Sequence, residues 1–186
     1  MKKSPASRKI TQREIKRIAR KIRLLVLDVD GVLTDGSIIL DNEGNEYKSF
    51  HVRDGHGIKM LQRAGVNVAI ITGRQSKVVE RRAAELGIKD VFQKCFNKIA
   101  AYEDLIRKYS LAPSEVAYMG DDIVDAPVMS RVGLPVSVAD ADQGIRKFSL
   151  FVTKCRGGRG AVREVTDCIL DAKGLLQGIL DEYLEA

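Results

Sequence analysis

The sequence has 186 residues, of which 45% are hydrophobic, 30% charged and 5% aromatic, and its formal net charge is +6. This length and apolar content suit one globular domain with a buried core, and they exclude a collagenous or disordered chain as the main interpretation. No stretch approaches the roughly 18 consecutive apolar residues of a membrane span.

The positive charge is concentrated in the first 23 residues. This segment has ten lysines and arginines and a single acid, Glu14, so it carries +9 and residues 24–186 carry −3. A nucleic-acid-binding protein is expected to carry its basic excess on the folded surface, so we expect no nucleic-acid partner. The three cysteines lack the CxxC spacing of a zinc site, which fits a reducing cytoplasm.

Residues 11–22 predict an amphipathic helix, because Thr11 and Glu14 form a capping box and isoleucines recur at helical spacing. Beyond it, apolar strands alternate with helices, and a turn-rich segment at 41–45 predicts a β-hairpin at about 36–52. The predicted strands are, in chain order, 24–29, 37–40, 46–52, 66–71, 91–92, 116–119 and 136–138. The predicted helices are 55–64, 76–86, 97–109, 126–131 and from 161 onward, and the alternation repeats at 145–148 and 151–152.

This alternation predicts an α/β fold with a doubly wound, mainly parallel sheet, an inserted β-hairpin and no second-domain linker. We expect residues 1–23 to form a basic helical arm and residues 24–186 to form a single domain. In such sheets, chemistry gathers beyond the carboxyl ends of the strands. Polar residues that directly follow strands are therefore the candidates for a functional site.

Four polar clusters follow predicted strands or begin the helix after one. They are Asp28-Val29-Asp30-Gly31, Thr72-Gly73-Arg74, Lys98, and Gly120-Asp121-Asp122 with Asp125 close by. A single cluster is well explained as a turn or a helix cap, because Asp and Thr are common in both. Four clusters at one edge of one sheet are much harder to explain in that way.

The residue types in these clusters predict phosphoryl transfer. Asp28, Asp30 and Asp121 bring oxygens together without His or Cys, and packed carboxylates resist ionising together unless a cation lies between them. An all-oxygen set favours Mg²⁺, which pairs naturally with phosphate. Lys98 and the Thr72 hydroxyl would bind phosphoryl oxygens, while one carboxylate attacks phosphorus and a second handles protons.

These clusters also carry a family resemblance. The segment Asp28-Val29-Asp30-Gly31-Val32-Leu33-Thr34 resembles the first motif of the haloacid dehalogenase (HAD) superfamily. Thr72, Lys98 and Gly120-Asp121-Asp122 follow in the order of its second, third and fourth motifs. The resemblance implies a HAD-type, Rossmann-like fold and a phosphatase in which Thr72 and Lys98 take part in catalysis.

The same resemblance implies roles for the acidic residues. Asp28 would be the nucleophile, and Asp30 would protonate the leaving alkoxide and then activate the hydrolytic water. Mg²⁺ would be held by the carboxylates of Asp28 and Asp121 and by the backbone carbonyl of Asp30. Asp122 and Asp125 would lie outside these ligands and orient water or the catalytic lysine.

The spacing of the motifs narrows the resemblance to a branch of the superfamily. About forty residues separate Asp30 from Thr72, and the hairpin fills much of that interval, which leaves no room for an inserted cap domain. The segments around Arg53-Asp54-Gly55 and Gly157-Gly158-Arg159-Gly160 resemble the capless branch. That branch includes the phosphatases that hydrolyse 3-deoxy-D-manno-octulosonate 8-phosphate (KDO 8-phosphate) in lipopolysaccharide precursor biosynthesis. Lys94 departs from this pattern, because it stands where the branch is expected to have Gly.

The resemblance further implies a homotetramer in which the C-terminal segment, about residues 155–186, closes a neighbouring site. The guanidinium fork suits both a carboxylate and a phosphate, which makes arginines near strand ends candidates for binding the sugar acid. The substrate-binding candidates are Thr34, Arg53, Asp54, Gly55, Gly73, Arg74 and Arg159.

Two alternatives remain open from the sequence. The first is a sister phosphatase for nine-carbon keto-deoxy sugar acid phosphates of the sialic-acid type. The second, from another class, is a non-catalytic receiver-like module. A receiver domain carries its acidic pair and its phosphorylated Asp on different strands, which the Asp-x-Asp at the first strand does not match.

Overall fold

The computed structural model describes residues 10–185, and its elements follow the predicted alternation. The strands are β1 (Leu24–Leu27), β2 (Ile39–Leu40), β3 (Glu46–Tyr47), β4 (Asn67–Ile71), β5 (Asp90–Phe92), β6 (Val116–Gly120), β7 (Leu134–Ser137) and β8 (Phe151–Val152). The helices are α1 (Gln12–Ala19), α2 (Val52–Arg63), α3 (Lys77–Leu86), α4 (Lys98–Lys108), α5 (Ala126–Met129), α6 (Gln143–Arg146), α7 (Ala161–Ala172) and α8 (Leu176–Glu185). Short 3₁₀ helices cover Pro113–Glu115 and Ile123–Asp125.

Six of the strands form one parallel sheet in the order β5-β4-β1-β6-β7-β8. The chain runs outward from β1 to β4 and β5, then crosses to β6 and runs outward again to β7 and β8. The direction of winding therefore reverses between β1 and β6, and ligands bind at such a reversal in open α/β sheets. The predicted fold class is confirmed, and among the described residues the hairpin β2–β3 is the only sheet element between β1 and α2.

The centre of the sheet is the core of the molecule. All four residues of β1 are fully buried, as a strand covered on both faces requires, which explains its unbroken apolar sequence. Helix α1 begins at the predicted capping box, where the Thr11 hydroxyl accepts from the Glu14 amide and the Glu14 carboxylate accepts from the Thr11 amide. Its apolar face packs on α7, and Ala19 belongs to the main core. Residues 1–9 of the predicted arm lie outside the described residues.

Several boundaries differ from the sequence predictions. Helix α2 begins at Val52, three residues earlier than predicted, and therefore includes the Arg-Asp-Gly segment. The hairpin strands are only two residues long. The single helix predicted after residue 161 is interrupted at Gly174, whose φ of 72° is left-handed and ends α7 before α8 begins. Within residues 10–185, no helix has the length and apolar character needed to cross a membrane.

Candidate active site

A cavity of about 390 Å³ lies at the carboxyl ends of β1, β4 and β6, and we call it the strand-end cavity. It is lined by Asp28, Asp30, Gly36, Thr72, Gly73, Arg74, Cys95, Phe96, Lys98, Asp121, Asp122 and Val124. All four of the predicted polar clusters thus contribute to one site. A larger cavity of about 470 Å³ between α1, β8 and α7 contains none of the candidate residues.

Lys98 lies at the base of the strand-end cavity as the first residue of α4. Its Nζ is 2.9 Å from Asp28 Oδ2 and 2.6 Å from Asp125 Oδ1, and its side chain is 5% exposed. Burial alone lowers the pKa of Lys98, but the two carboxylates together outweigh it and raise the pKa above its ordinary value. The ammonium group is therefore a fixed positive charge beside Asp28 at neutral pH.

Asp125 is a fully buried carboxylate that accepts a hydrogen bond from this lysine. Its Oδ1 accepts from Lys98 and from the Tyr118 hydroxyl at 2.6 Å, while its Oδ2 accepts from the backbone amides of Asp121 at 3.1 Å and Asp122 at 3.4 Å. Four protein donors thus occupy the carboxylate. Asp125 consequently serves to position the lysine and the chain after β6.

Tyr118 is a residue of this site that the sequence reasoning missed. It lies within the apolar strand β6, where its buried hydroxyl donates to Asp125 Oδ1. Burial first, and then the charge of Asp125, raise the pKa of Tyr118 well above its usual range, so the hydroxyl remains a donor. The available signal was the residue type itself, because a buried Tyr hydroxyl usually finds a hydrogen-bond partner.

Asp28 and Asp121 follow the two strands on either side of the winding reversal. Burial and the charge of Asp125 raise the pKa of Asp28 to about 6, against the opposing effect of Lys98. Burial, Asp28 and Asp125 raise the pKa of Asp121 to about 7. A carboxylate oxygen from each of the three acids lies within 4.8 Å of the others. This crowding of negative charge, with oxygen donors only, fits a divalent cation such as Mg²⁺.

The close approach of the loops that follow β1 and β6 depends on a glycine. Gly31 has a left-handed φ of 84°, and a Cβ at this position would lie 2.0 Å from Asp121 Oδ2. Any side chain would therefore displace Asp121. Of the three clustered acids, Asp125 already accepts hydrogen bonds from four donors. Asp28 and Asp121 are therefore the two carboxylates that can bind a cation.

Asp30 lies nearer the mouth of the cavity, within a cluster of four charges. Its carboxylate contacts Lys48 and lies 3.6 Å from Arg74 Nε. Glu46 is 2.9 Å from a terminal nitrogen of Arg74 and 3.5 Å from Lys48 Nζ. Glu46 begins the hairpin's return strand and Lys48 follows that strand, so the hairpin contributes two charged side chains beside Asp30 and Arg74. Sequence reasoning missed both residues, because isolated charges on a short hairpin are normally solvated.

The second motif lies where the sequence predicted. Thr72 is buried directly after β4, its amide donates to Phe92 O at 2.9 Å, and its carbonyl accepts from Cys95 N at 3.0 Å. Gly73 and Arg74 follow it along the cavity wall. These hydrogen bonds fix the loop after β4 against the loop after β5.

Three substrate-binding candidates do not line the cavity in this chain. The Thr34 hydroxyl donates to Val29 O at 3.3 Å and accepts from Gly36 N at 3.2 Å, so it stabilises the loop after β1. Arg53 is exposed on the first turn of α2. Arg159 pairs with Asp35 at 3.2 Å.

Asp54 and Gly55 also lie outside the cavity, and they have structural contacts instead. The buried Asp54 carboxylate accepts from Gly160 N at 3.2 Å and Arg163 N at 2.8 Å, which caps the start of α7. Gly55 has no room for a side chain, because a Cβ there would lie 2.3 Å from a terminal nitrogen of Arg82. The Arg-Asp-Gly segment therefore joins α2 to α7 and α3.

The glycine-rich loop 157–160 packs directly on the loop after β1. A Cβ on Gly157 would lie 1.7 Å from Gly31 O, and the amide of Gly158 donates to Val32 O at 2.9 Å. Asp54 holds the far end of this loop at Gly160. The loop therefore braces the segment that carries Asp28 and Asp30.

Comparisons with known proteins find a matching family model and similar relatives. The family model described as haloacid dehalogenase-like hydrolase matches residues 52–133. The chain is 53% identical over 164 residues to the 3-deoxy-D-manno-octulosonate 8-phosphate phosphatase KdsC of Escherichia coli K12, covering 88% of this chain and 85% of that protein. It is 50% identical over 160 residues to KdsC of Yersinia pestis, covering 86% of each.

Solved structures resemble the chain equally closely. The crystal structure of the phosphatase from Yersinia pestis superimposes with a TM-score of 0.87 at 49% identity, covering 88% of this chain and 89% of that one. The Moraxella catarrhalis phosphatase, described in complex with magnesium ion, phosphate ion and a KDO molecule, gives a TM-score of 0.91 at 40% identity, covering 93% and 99%.

The chain therefore belongs to the haloacid dehalogenase-like hydrolases, and it is a phosphoric monoester hydrolase with no cap domain within residues 10–185. Within that family, the two relatives from Escherichia coli and Yersinia pestis are named as KDO 8-phosphate phosphatases. The predicted family and enzyme class are confirmed.

Proposed function

We propose that the protein hydrolyses KDO 8-phosphate to the free sugar acid and phosphate, as a step of lipopolysaccharide precursor biosynthesis in the cytoplasm. The observation that carries this proposal is the buried pair of Lys98 and Asp28 beside Asp121, at the base of a cavity with Arg74 at its mouth. The choice of KDO 8-phosphate as the substrate rests on the names of the matched relatives.

Asp28 is the nucleophile in this proposal. One carboxylate oxygen forms a bond to phosphorus while the bond from phosphorus to the sugar oxygen breaks, which leaves an aspartyl phosphate. Asp30 gives a proton to the departing alkoxide and then takes one from the water that attacks phosphorus. The bond from phosphorus to Asp28 breaks in that second step, and phosphate is released.

The surrounding residues stabilise the charge that moves between these steps. The carboxylates of Asp28 and Asp121 and the backbone carbonyl of Asp30 would hold Mg²⁺. When bound, Mg²⁺ supplies positive charge that keeps the clustered carboxylates ionised and neutralises phosphoryl oxygens. The Lys98 ammonium and the Thr72 hydroxyl bind phosphoryl oxygens from the protein side, and Asp125 keeps the lysine in place.

Arg74 is the group that would bind the substrate carboxylate. It lines the strand-end cavity, its side chain is 44% exposed, and it is anchored by Glu46 at 2.9 Å. A guanidinium at the mouth suits an acid group at the end of the sugar chain remote from the phosphate. Because Arg74 lies at this position, substituting it tests whether the site recognises the carboxylate of the sugar acid.

The homotetramer is part of the same proposal. The hairpin exposes Ile38 at 57%, Ile39 at 50% and Leu40 at 60%, and adjacent apolar side chains of this kind usually mark a contact. A second copy of the chain would cover them, and the C-terminal segment would reach a neighbouring site. Light scattering of the wild-type protein and of Leu40→Asp gives the test: the variant should lose the tetrameric mass.

Phosphate release with Mg²⁺ tests the substrate. KDO 8-phosphate, its nine-carbon homologue and a simple aryl phosphate are compared, with an EDTA control. The proposal predicts a kcat/KM for the eight-carbon acid far above that for the other two, and no release with EDTA. Equal rates on all three would leave the phosphatase chemistry standing and contradict the named substrate.

A further inference from the structure

Phe96 is the most exposed large hydrophobic side chain among the described residues, at 92%. Single exposed hydrophobics are ordinary on protein surfaces. This one, however, lines the strand-end cavity, and it precedes the catalytic candidate Lys98 by only two residues. A molecule that places its phosphate beside the lysine must extend from there toward the mouth that Phe96 borders.

The segment that carries the ring is held in place by the backbone. Lys94 N donates to Arg74 O at 3.3 Å, and Cys95 N donates to Thr72 O at 3.0 Å. Lys94 itself has a left-handed φ of 51°, which is uncommon for a residue with a side chain. The ring is thus presented at the cavity by a turn that is tied to the end of β4.

The remaining lining of the cavity agrees with a particular shape of ligand. Its base is charged, with Asp28 and Lys98, and Arg74 supplies a positive charge nearer the mouth. Val124, which is 58% exposed, adds a second apolar surface to the same cavity. A carbon chain that joins a phosphate to a carboxylate presents C–H groups to such apolar surfaces, while its two acidic ends meet the positive charges.

We propose that Phe96 contacts the carbon chain of the substrate and sets the preference for an extended sugar acid phosphate over a small phosphate ester. This inference rests on the proposed function and adds a specificity-determining residue that lies outside the four motifs. The ring of Phe96 contacts the part of the substrate that lies beyond the phosphate. Loss of the ring therefore weakens binding of the extended substrate and leaves phosphoryl transfer intact.

The experiment compares Phe96→Ala and Phe96→Tyr with the wild-type protein on KDO 8-phosphate and on acetyl phosphate, which lacks the sugar chain. An aromatic contact of this kind corresponds to about a five- to tenfold rise in KM for KDO 8-phosphate in the Ala variant, with kcat unchanged. The Tyr variant should retain the wild-type KM. The kcat/KM for acetyl phosphate should stay within about twofold in both variants. Val152→Ala, at a 42% exposed position on β8 outside the cavity, is the matched control and should change nothing.

Each other outcome has a distinct meaning. Wild-type protein that hydrolyses acetyl phosphate but not KDO 8-phosphate contradicts the proposed function, and this inference falls with it. Wild-type activity on KDO 8-phosphate with an unchanged KM in Phe96→Ala overturns the inference alone. Equal losses on both substrates, or an altered mass in light scattering, also overturn it, because they assign the ring to the fold or to a contact between copies.

Discussion

The buried carboxylate of Asp28 should make the metal-free protein less stable as the pH rises. Burial and Asp125 raise the pKa of Asp28 from 3.8 to about 6, with Lys98 acting in the opposite direction. The folded protein thus holds this proton more tightly than the unfolded chain does. The resulting stabilisation is complete below the unfolded pKa and is lost as the pH rises through the folded one. A shift of about two pKa units corresponds to about 3 kcal/mol of unfolding free energy, roughly half of it lost above about pH 5.

Asp28→Asn removes this titration. Urea unfolding in EDTA from about pH 5 to about pH 8 should show the free energy of unfolding of the variant rising relative to wild type by about 1–2 kcal/mol. Asp104→Asn, at an exposed position on α4, is the control and should follow the wild-type curve. Mg²⁺ should stabilise wild type at the upper end of this range more than it stabilises the variant. Parallel curves for Asp28→Asn and wild type would refute the account of a desolvated carboxylate.

Three further substitutions probe the supports of the site. Tyr118→Phe removes one of two donors to Asp125 Oδ1 and should lower kcat about tenfold with little change in KM, as steady-state kinetics would show. Gly157→Ala forces a Cβ into Gly31 O; activity should fall sharply while circular dichroism shows retained secondary structure, and wild-type activity would contradict the bracing role. Asp54→Asn weakens the cap of α7 and should lower the free energy of unfolding by about 1–2 kcal/mol in urea titration, whereas a substrate-binding role would instead raise KM.

The sequence predicted that the polar residues after three of the strands lie at one edge of the sheet. In a parallel sheet the carboxyl ends of neighbouring strands share one edge, so residues that follow β1, β4 and β6 converge whatever their separation in the chain. Asp28, Thr72 and Asp121 are of this kind, and they line one cavity. The unbroken apolar sequence of β1 likewise predicted a strand that is buried on both faces.

The contacts that sequence reasoning did not predict depend on long-range packing. Asp54 bonds the amide of Gly160, 106 residues away, and no local pattern reveals that its carboxylate caps a distant helix. The side chain of Lys48 is buried where it pairs with Asp30, 18 residues earlier in the chain. Such contacts depend on tertiary packing. The spacing of apolar residues in the sequence predicts only which face of a single helix or strand is buried.

Chemical trapping of the phosphorylated residue tests the central claim most directly. Wild-type protein is quenched during turnover with Mg²⁺ and KDO 8-phosphate and reduced with borohydride, which converts an aspartyl phosphate to homoserine, and its peptides are then analysed by mass spectrometry. The account predicts homoserine at position 28, dependent on substrate and absent from Asp28→Asn. Turnover that leaves Asp28 unmodified, with the label on another acid such as Asp121 or on none, would contradict it.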